Sequence, residues 1–346
     1  MSGRLRIAQL APVGTAVHPE EGDSIERLVS LLTEELVRRG HDVTLFATGD
    51  SVTSAALRSL YPRGYERAGG VWDWRLHETM HAAWALEQAA SFDVVHSHAY
   101  HFALPLGRFV AVPIAHTYHV APGPDVVRAF ASRPEARLVA VSQYQRRCFA
   151  AVDDVSVVQH GIDVADFPAG RGRGGYLLFL GRMIPEKGPV HAIRVARELG
   201  MHLVLVGPGG EYFDAEVAPL VDGTSVEYAG AVRPAERNEL LAEATALVYS
   251  VTAPEPFGLV LVEAMACGTP VAAVGLGAAP ELVEEGVTGS CADSIETLAA
   301  AVEAARGLDR AQVRARAGER FDYRRMVDEY ERIYRHLAGG RRSEAA

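Results

Sequence analysis

The chain predicts an α/β protein of two domains, each a doubly wound parallel sheet covered by helices, and three observations carry that prediction. Short apolar runs of four or five residues alternate with helical stretches along nearly the whole length, the pattern of strand–helix–strand units. At 346 residues and 49% hydrophobic content there is material for two cores. A glycine- and proline-rich string, Phe167-Pro168-Ala169-Gly170-Arg171-Gly172-Arg173-Gly174-Gly175, breaks the alternation near its middle and suits an interdomain connection.

Taken in order, the first half offers strands at Arg6–Leu10, Asp42–Phe46, Asp93–His96, Pro113–His116 and Arg137–Val141. The stretch Ile25–Arg39 is amphipathic, stops at Gly40 and carries arginines in its last turn, where they suit the helix dipole. The second half offers strands at Tyr176–Leu180, His202–Val206, Val226–Tyr228, Ala246–Tyr249 and Val271–Ala273, with a helical pattern from Val190 to Leu199. An apolar helix starts near Phe257 or Gly258 and ends at Gly268, with Pro270 as a stop signal. The expected domains are residues 1–166 and 167–325, followed by a C-terminal helix, 326–346, that can pack back on the first domain. The glycines at 170–175 do not read as a dinucleotide fingerprint, because they precede a strand and open no helix.

The formal net charge of −10 provides no basic stripe for nucleic acid. Cys148, Cys267 and Cys291 are an odd number at unrelated spacings, so reduced thiols are expected rather than a disulfide framework or a zinc site. No charged-then-apolar leader precedes Leu5 and no apolar run approaches the ~18 residues of a membrane span. A cytoplasmic protein with no strong membrane signal is expected.

The sharpest local signal is the lone lysine. Lys187 is the one lysine among 34 Lys+Arg residues, in a chain that uses the planar guanidinium at every other cationic position. A compact ammonium is the better fit where a phosphate must be met in a tight space. It sits in Gly181-Arg182-Met183-Ile184-Pro185-Glu186-Lys187-Gly188, between a predicted strand and a predicted helix, and a glycine turn carrying two cations there makes an anion cradle. The plain alternative is a surface lysine. Downstream, Glu255 and Glu263 stand eight positions apart around the turn Phe257-Gly258. A carboxylate among apolar neighbours needs donors, and sugar hydroxyls supply them. Equally, Glu255 can cap the helix and Glu263 can pair with an arginine.

Together these segments resemble the retaining family-four glycosyltransferases of the GT-B fold. The resemblance rests on the GRMIPEKG turn, the Glu255/Glu263 pair around Phe257-Gly258, and Glu281 in Gly277-Ala278-Ala279-Pro280-Glu281-Leu282-Val283. It extends over an N-terminal block, residues 31–43, and a C-terminal block from Arg320-Phe321 to Tyr334. It implies two Rossmann-like domains facing a central cleft, the second holding a UDP- or GDP-linked sugar and the first an acceptor. By that resemblance Gly181, Arg182 and Lys187 meet the diphosphate, Glu263 the ribose, and Glu255 the hexose, with backbone groups of Phe257, Gly258 and Leu259 nearby. Gly207 and Val232 match base-contacting loops, and His119 lies beside the donor sugar. Arg182, Lys187, Glu255 and His119 are the expected catalytic set.

Four histidines, His96, His98, His116 and His119, fall at the ends of two predicted strands. Asp23, His98 and His119 are the candidate acceptor contacts, although histidines in such loops can also simply satisfy backbone groups, and Asp23 can cap the helix that follows. Asp23-Ser24 stands where the family usually has Gly-Gly. The sequence has no Asp-x-Asp pair, so no metal and no cofactor is expected. Leaving-group charge then falls to protein cations and helix ends. The resulting expectation is a retaining, metal-independent hexosyltransferase acting on a small hydroxyl-bearing acceptor, a natural product or a sugar. A GT-B phosphorylase, a sugar-nucleotide epimerase, or a catalytically silent nucleotide-sugar-binding subunit would need the same residues.

Overall fold

The computed structural model describes residues 3–19, 24–68 and 73–344, with side chains described except at 67, 68 and 340–344. The chain divides into two compact units, residues 1–161 with 323–346, and residues 162–322.

The first unit is built on seven strands, β1 (Arg6–Leu10), β2 (Asp42–Phe46), β3 (Ala56–Arg58), β4 (Val94–Ser97), β5 (Ile114–Tyr118), β6 (Arg137–Ala140) and β7 (Ser156–Val157). They pair in parallel in the order β3-β2-β1-β4-β5-β6-β7. Helix Ser24–Arg38 buries Leu28, Leu32 and Leu36 on one face, the spacing that turns one stripe toward a sheet. Its C-terminal end is tied to the last helix, Tyr323–Glu344. The Arg39 guanidinium meets Glu35 at 2.8 Å and Glu331 at 2.7 Å, and His41 Nε2 lies 2.9 Å from Glu331. The last helix buries Met326, Val327, Tyr330, Tyr334 and Leu337 and is part of this first unit.

The second unit holds β8 (Tyr176–Leu180), β9 (His202–Val206), β10 (Val226–Gly230), β11 (Ala246–Tyr249), β12 (Val271–Val274) and β13 (Gly289–Ala292). Their order is β10-β9-β8-β11-β12-β13, again parallel throughout. Leu177, Phe179, Leu203, Leu205, Val248 and Ala272 form the centre of its core with Ile193 and Leu298 from the covering helices.

The unit boundary differs from the sequence expectation at both ends. Residues 162–166 belong to the second unit, because the Ile162 N–H donates to the Phe321 carbonyl and Ile162 bridges Asp322. The final helix accordingly opens at Tyr323 rather than 326. The glycine string is not a free connection. The N–H groups of Gly170, Gly172 and Gly174 donate to the carbonyls of Cys267, Ala242 and Glu243, so this stretch lies against its own unit. Three strands gave no sequence signal: β3 is exposed throughout, β7 is two residues long, and β13 is Gly-Ser-Cys-Ala.

Both sheets share one geometric property. The strand order reverses direction between β1 and β4 in the first unit and between β8 and β11 in the second. At such a switch point the loops leaving neighbouring strands part to opposite faces and open a crevice at the carboxyl ends, where ligands of α/β sheets bind.

Candidate active site

In the second unit, the loop leaving β8 contains the short helical turn Pro185–Lys187, and Gly188 then leads into helix Pro189–Glu198. Gly188 has φ +70° and a Cβ there would lie 2.0 Å from the Ser250 carbonyl oxygen, so only glycine lets this turn approach the loop leaving β11. The approach is fastened by three hydrogen bonds. Ser250 Oγ donates to the Gly188 carbonyl at 2.8 Å, and Thr252 donates through its N–H to Glu186 and through Oγ1 to Pro185, each at 2.9 Å.

That fastening brings Lys187 and Glu255 together although 68 positions separate them. Lys187 Nζ pairs with Glu255 Oε1, and each side chain is 22% exposed. The other carboxylate oxygen, Oε2, accepts from the Tyr249 hydroxyl at 2.6 Å. The backbone of Glu255 is held as well, its carbonyl accepting from the Ala278 N–H at 3.0 Å. The lone lysine is therefore paired and only partly exposed, and Glu255 is not a helix cap. That helix runs Leu259–Ala266 with Gly258, at φ +105°, in the capping position.

Arg182 is exposed on the same loop and has no side-chain partner among the described residues. Gly181 and Gly207 interlock the loops leaving β8 and β9: the Gly181 N–H donates to Val206, and a Cβ on Gly207, at φ +140°, would lie 1.9 Å from the Gly181 carbonyl oxygen. The Gly207 N–H in turn donates to Gly230 at 2.8 Å, and the Tyr228 hydroxyl caps the Gly207 carbonyl at 2.9 Å. Val232 is half-buried on the loop leaving β10, just before the exposed Arg233. The Phe257 ring is buried edge-on against Phe321, 6.4 Å between centroids, so Phe257 can offer a ligand only its backbone. Leu259 and Val260 open the helix, and their N–H groups therefore have no intrahelical acceptor. Glu263 lies on the second turn, 8% exposed, with Oε1 3.4 Å from Arg237. The arginine pairing that the sequence allowed for this glutamate is present.

The first unit contains a buried chain of hydrogen bonds. Gln9 Nε2 donates to the Tyr334 hydroxyl at 3.1 Å, and Tyr334 lies 2.6 Å from His96 Nδ1. His96 Nε2 reaches Thr117 Oγ1 at 2.7 Å, and Thr117 reaches the Tyr330 hydroxyl at 3.0 Å. On the other side of the amide, Gln9 Oε1 lies 3.0 Å from His98 Nε2, and His98 Nδ1 lies 3.0 Å from His119 Nε2. With the Gln9 amide in this orientation, His98 donates from Nε2 and accepts at Nδ1. His119 then donates from Nε2, and its Nδ1, buried and without a partner among the described residues, is a lone pair. His119 also stacks on His160, 5.2 Å between centroids.

Burial pushes these imidazoles down: His119 to about 3, His116 to about 4, and His96, His98 and His160 well below the usual range. Burial thus favours the neutral rings at physiological pH, and His96, His98 and His119 form hydrogen bonds in that state. His96 lies within β4 and His116 within β5, inside the strands expected at Asp93–His96 and Pro113–His116, which run on by one and two residues to Ser97 and Tyr118. His98 and His119 do follow the strands. Asp23 lies outside the described residues. Sequence reasoning missed Tyr249, Gln9, Thr117, Tyr334 and His160. Each reads in the sequence as an ordinary strand, helix or loop residue, and only tertiary structure reveals its partner.

Comparison with known proteins bears on the fold and the family. The model of the glycosyltransferase family 4 matches residues 25–166, and that of the glycosyl transferases group 1 matches residues 168–320. D-inositol 3-phosphate glycosyltransferase of Mycobacterium tuberculosis is 28% identical over 307 residues, covering 74% of this chain. The match spans 64% of that relative's own length. Among solved structures, AviGT4, a glycosyltransferase involved in avilamycin A biosynthesis, is 26% identical with a TM-score of 0.74, over 97% of this chain and 98% of that one. Anabaena HepE, solved with UDP and glucose, has the same fold at 20% identity and a TM-score of 0.72, over 95% of this chain and 99% of its own. The chain belongs to the family-four glycosyltransferases and carries the GT-B fold.

Proposed function

We propose that this protein transfers a hexose from a UDP- or GDP-linked sugar to a hydroxyl of a small acceptor, with retention of configuration and without a metal. The observation that carries the reading is the Lys187–Glu255 pair at the β8/β11 switch point, its lysine on the same loop as Arg182, which has no side-chain partner among the described residues. An ammonium and a carboxylate that face each other at one switch point are complementary to the two ends of a sugar diphosphate. Phosphate oxygens would take Lys187 and Arg182, and hexose hydroxyls would take Glu255. Loss of a nucleoside diphosphate builds negative charge on the bridging oxygen. The two cations, with the N–H groups that open helix Leu259–Ala266, are the groups that would stabilise it. Glu263 would accept from the ribose hydroxyls and Gly207 and Val232 would border the base. HepE, with its bound UDP and glucose, is consistent with a donor of this class.

The first unit would hold the acceptor, with His98 and His119 as neutral hydrogen-bonding groups for hydroxyls. Retention without an enzyme nucleophile means attack on the face the diphosphate leaves. A formal net charge of −10 favours an uncharged acceptor over a phosphorylated one, unlike the inositol 3-phosphate in the name of the mycobacterial relative. No described helix is long and apolar enough to cross a membrane. The three free cysteines suit a reducing, cytoplasmic site of action. The deciding experiment is a thermal-shift screen over UDP- and GDP-sugars, in which a specific ligand at 100 times its Kd adds about 2.7 kcal/mol. Donor turnover with and without sugar and natural-product acceptors follows. Donor consumption that never needs an acceptor would instead indicate the phosphorylase or epimerase chemistry, and binding without turnover a silent subunit.

A further inference from the structure

The two oxygens of the Glu255 carboxylate have unlike partners. Oε1 faces the Lys187 ammonium, a flexible cation on the loop leaving β8, whereas Oε2 accepts from the phenol of Tyr249 at 2.6 Å. Tyr249 is the last residue of β11, pairs across the sheet with Ala273, and is 4% exposed. Its hydroxyl lies 3.2 Å from where a Cβ on Gly258 would stand, so the phenol is enclosed between the strand end and the turn that opens the next helix. Burial, and then the neighbouring Glu255 charge, hold the phenol well above its usual range, which keeps it a donor. A phenol donating to a carboxylate at this length is a charge-assisted bond.

Donor binding would treat the two partners differently. Lys187 carries the charge that a diphosphate attracts and the flexible stem to follow it. Tyr249 carries no charge, is anchored in the sheet, and has no motion to make. We propose that Tyr249 is the positioning residue of Glu255: it holds Oε2 while Lys187 turns to the diphosphate, so that Oε1 is presented to a hydroxyl of the transferred hexose. The inference rests on the reading of Glu255 as the sugar-side carboxylate.

The test uses the full chain and whichever of UDP-glucose and GDP-mannose the wild type turns over, with Tyr249→Phe, Glu255→Gln and the double variant. Calorimetric titration with the free nucleoside diphosphate, Tm, and transfer kinetics are read for each. Tyr249→Phe should leave diphosphate affinity within about twofold and lower kcat about tenfold, the size of one hydrogen bond to a charged group. In the Glu255→Gln background the same change should cost less than about twofold, because the group it positions is gone. Incorporation of 3-fluorotyrosine at position 249, which keeps the hydroxyl, should retain near-wild-type turnover even if the phenylalanine variant folds poorly. Multiplicative losses in the double variant would overturn the inference. So would an equal loss of diphosphate affinity, or an unchanged kcat in Tyr249→Phe. A wild type that binds neither UDP nor GDP would instead sink the functional reading itself, before any variant is made.

Discussion

Replacing Lys187 by alanine separates a catalytic from a structural role because the two predict losses of different size in different measurements. As a structural ion pair, Lys187–Glu255 is a modest contributor: both side chains are 22% exposed, and partly solvated pairs are worth about 1 kcal/mol at most. Glu255 would keep its Tyr249 hydrogen bond after the change and could take water on Oε1, so it would not be stranded. The expected Tm change is therefore small, about 2–4 °C for domains of this size. As the cation that meets a leaving diphosphate, Lys187 should be worth more, since one well-placed charge-stabilising donor typically contributes about 10²-fold in kcat, or about 2.7 kcal/mol. Lys187→Arg should also be impaired, because the loop from Gly181 to Gly188 is fastened to the loop leaving β11 and leaves little freedom for a planar fork. Steady-state transfer kinetics beside a thermal melt provide the comparison. Wild-type turnover in both variants would return Lys187 to a surface residue with an incidental partner. A kcat loss that merely tracks a large drop in Tm would make it structural.

The two glutamates should separate by ligand. Glu263→Gln should weaken binding of free nucleoside diphosphate and raise the donor KM, whereas Glu255→Gln should spare free diphosphate and lower transfer; equal weakening by both in calorimetric titration would end that division of labour. Transfer should persist in excess EDTA, and a complete loss restored by Mg²⁺ or Mn²⁺ would refute leaving-group stabilisation by protein cations alone. Stability should fall as pH drops below about 6.5, earlier than carboxylate titration requires. The buried imidazoles, His119 at about 3 and His81 and His116 at about 4, bind protons only once unfolded, so between those values and 6.5 the unfolded state holds more protons and acid favours it. Glu78, raised by burial to about 7, acts in the opposite sense between about 4.5 and 7, and Glu78→Gln should therefore steepen the acid loss seen in melts from pH 7.5 to 5.

Much of the scaffold was legible because parallel strands buried on both faces write themselves as apolar runs: Tyr176–Leu180, His202–Val206 and Ala246–Tyr249 coincide with β8, β9 and β11. The edges were not. β3 has no buried face, β7 is two residues long, and β13 is a run of small residues whose place in the sheet is set by its neighbour β12. The glycine string at 170–175 misled for a related reason. Glycine marks flexible connections and close backbone approaches alike, and here the approach to Ala242 and Cys267 decides.

The site residues divide along the same line, and the division explains which partners stayed hidden. Lys187, Arg182 and Glu255 stood out in the sequence as charged residues beside predicted strand ends and in segments that carry the family resemblance, and the structure puts each on a loop leaving a strand at the β8/β11 reversal. Tyr249 and Gln9 sit one step earlier, inside β11 and β1, and in the sequence they read as ordinary strand residues. What distinguishes them is a hydrogen bond to something far away in the chain or around a turn: Tyr249 to Glu255, Gln9 to Tyr334 and His98. A loop at the carboxyl end of a sheet is free to present a charge but cannot hold it still. The last residues of the strands are rigid but point into the sheet's own faces. At Glu255 the two are joined, the Tyr249 hydroxyl donating to Oε2, and polar residues at strand ends are therefore the first places to look for groups that could position a charge on a switch-point loop.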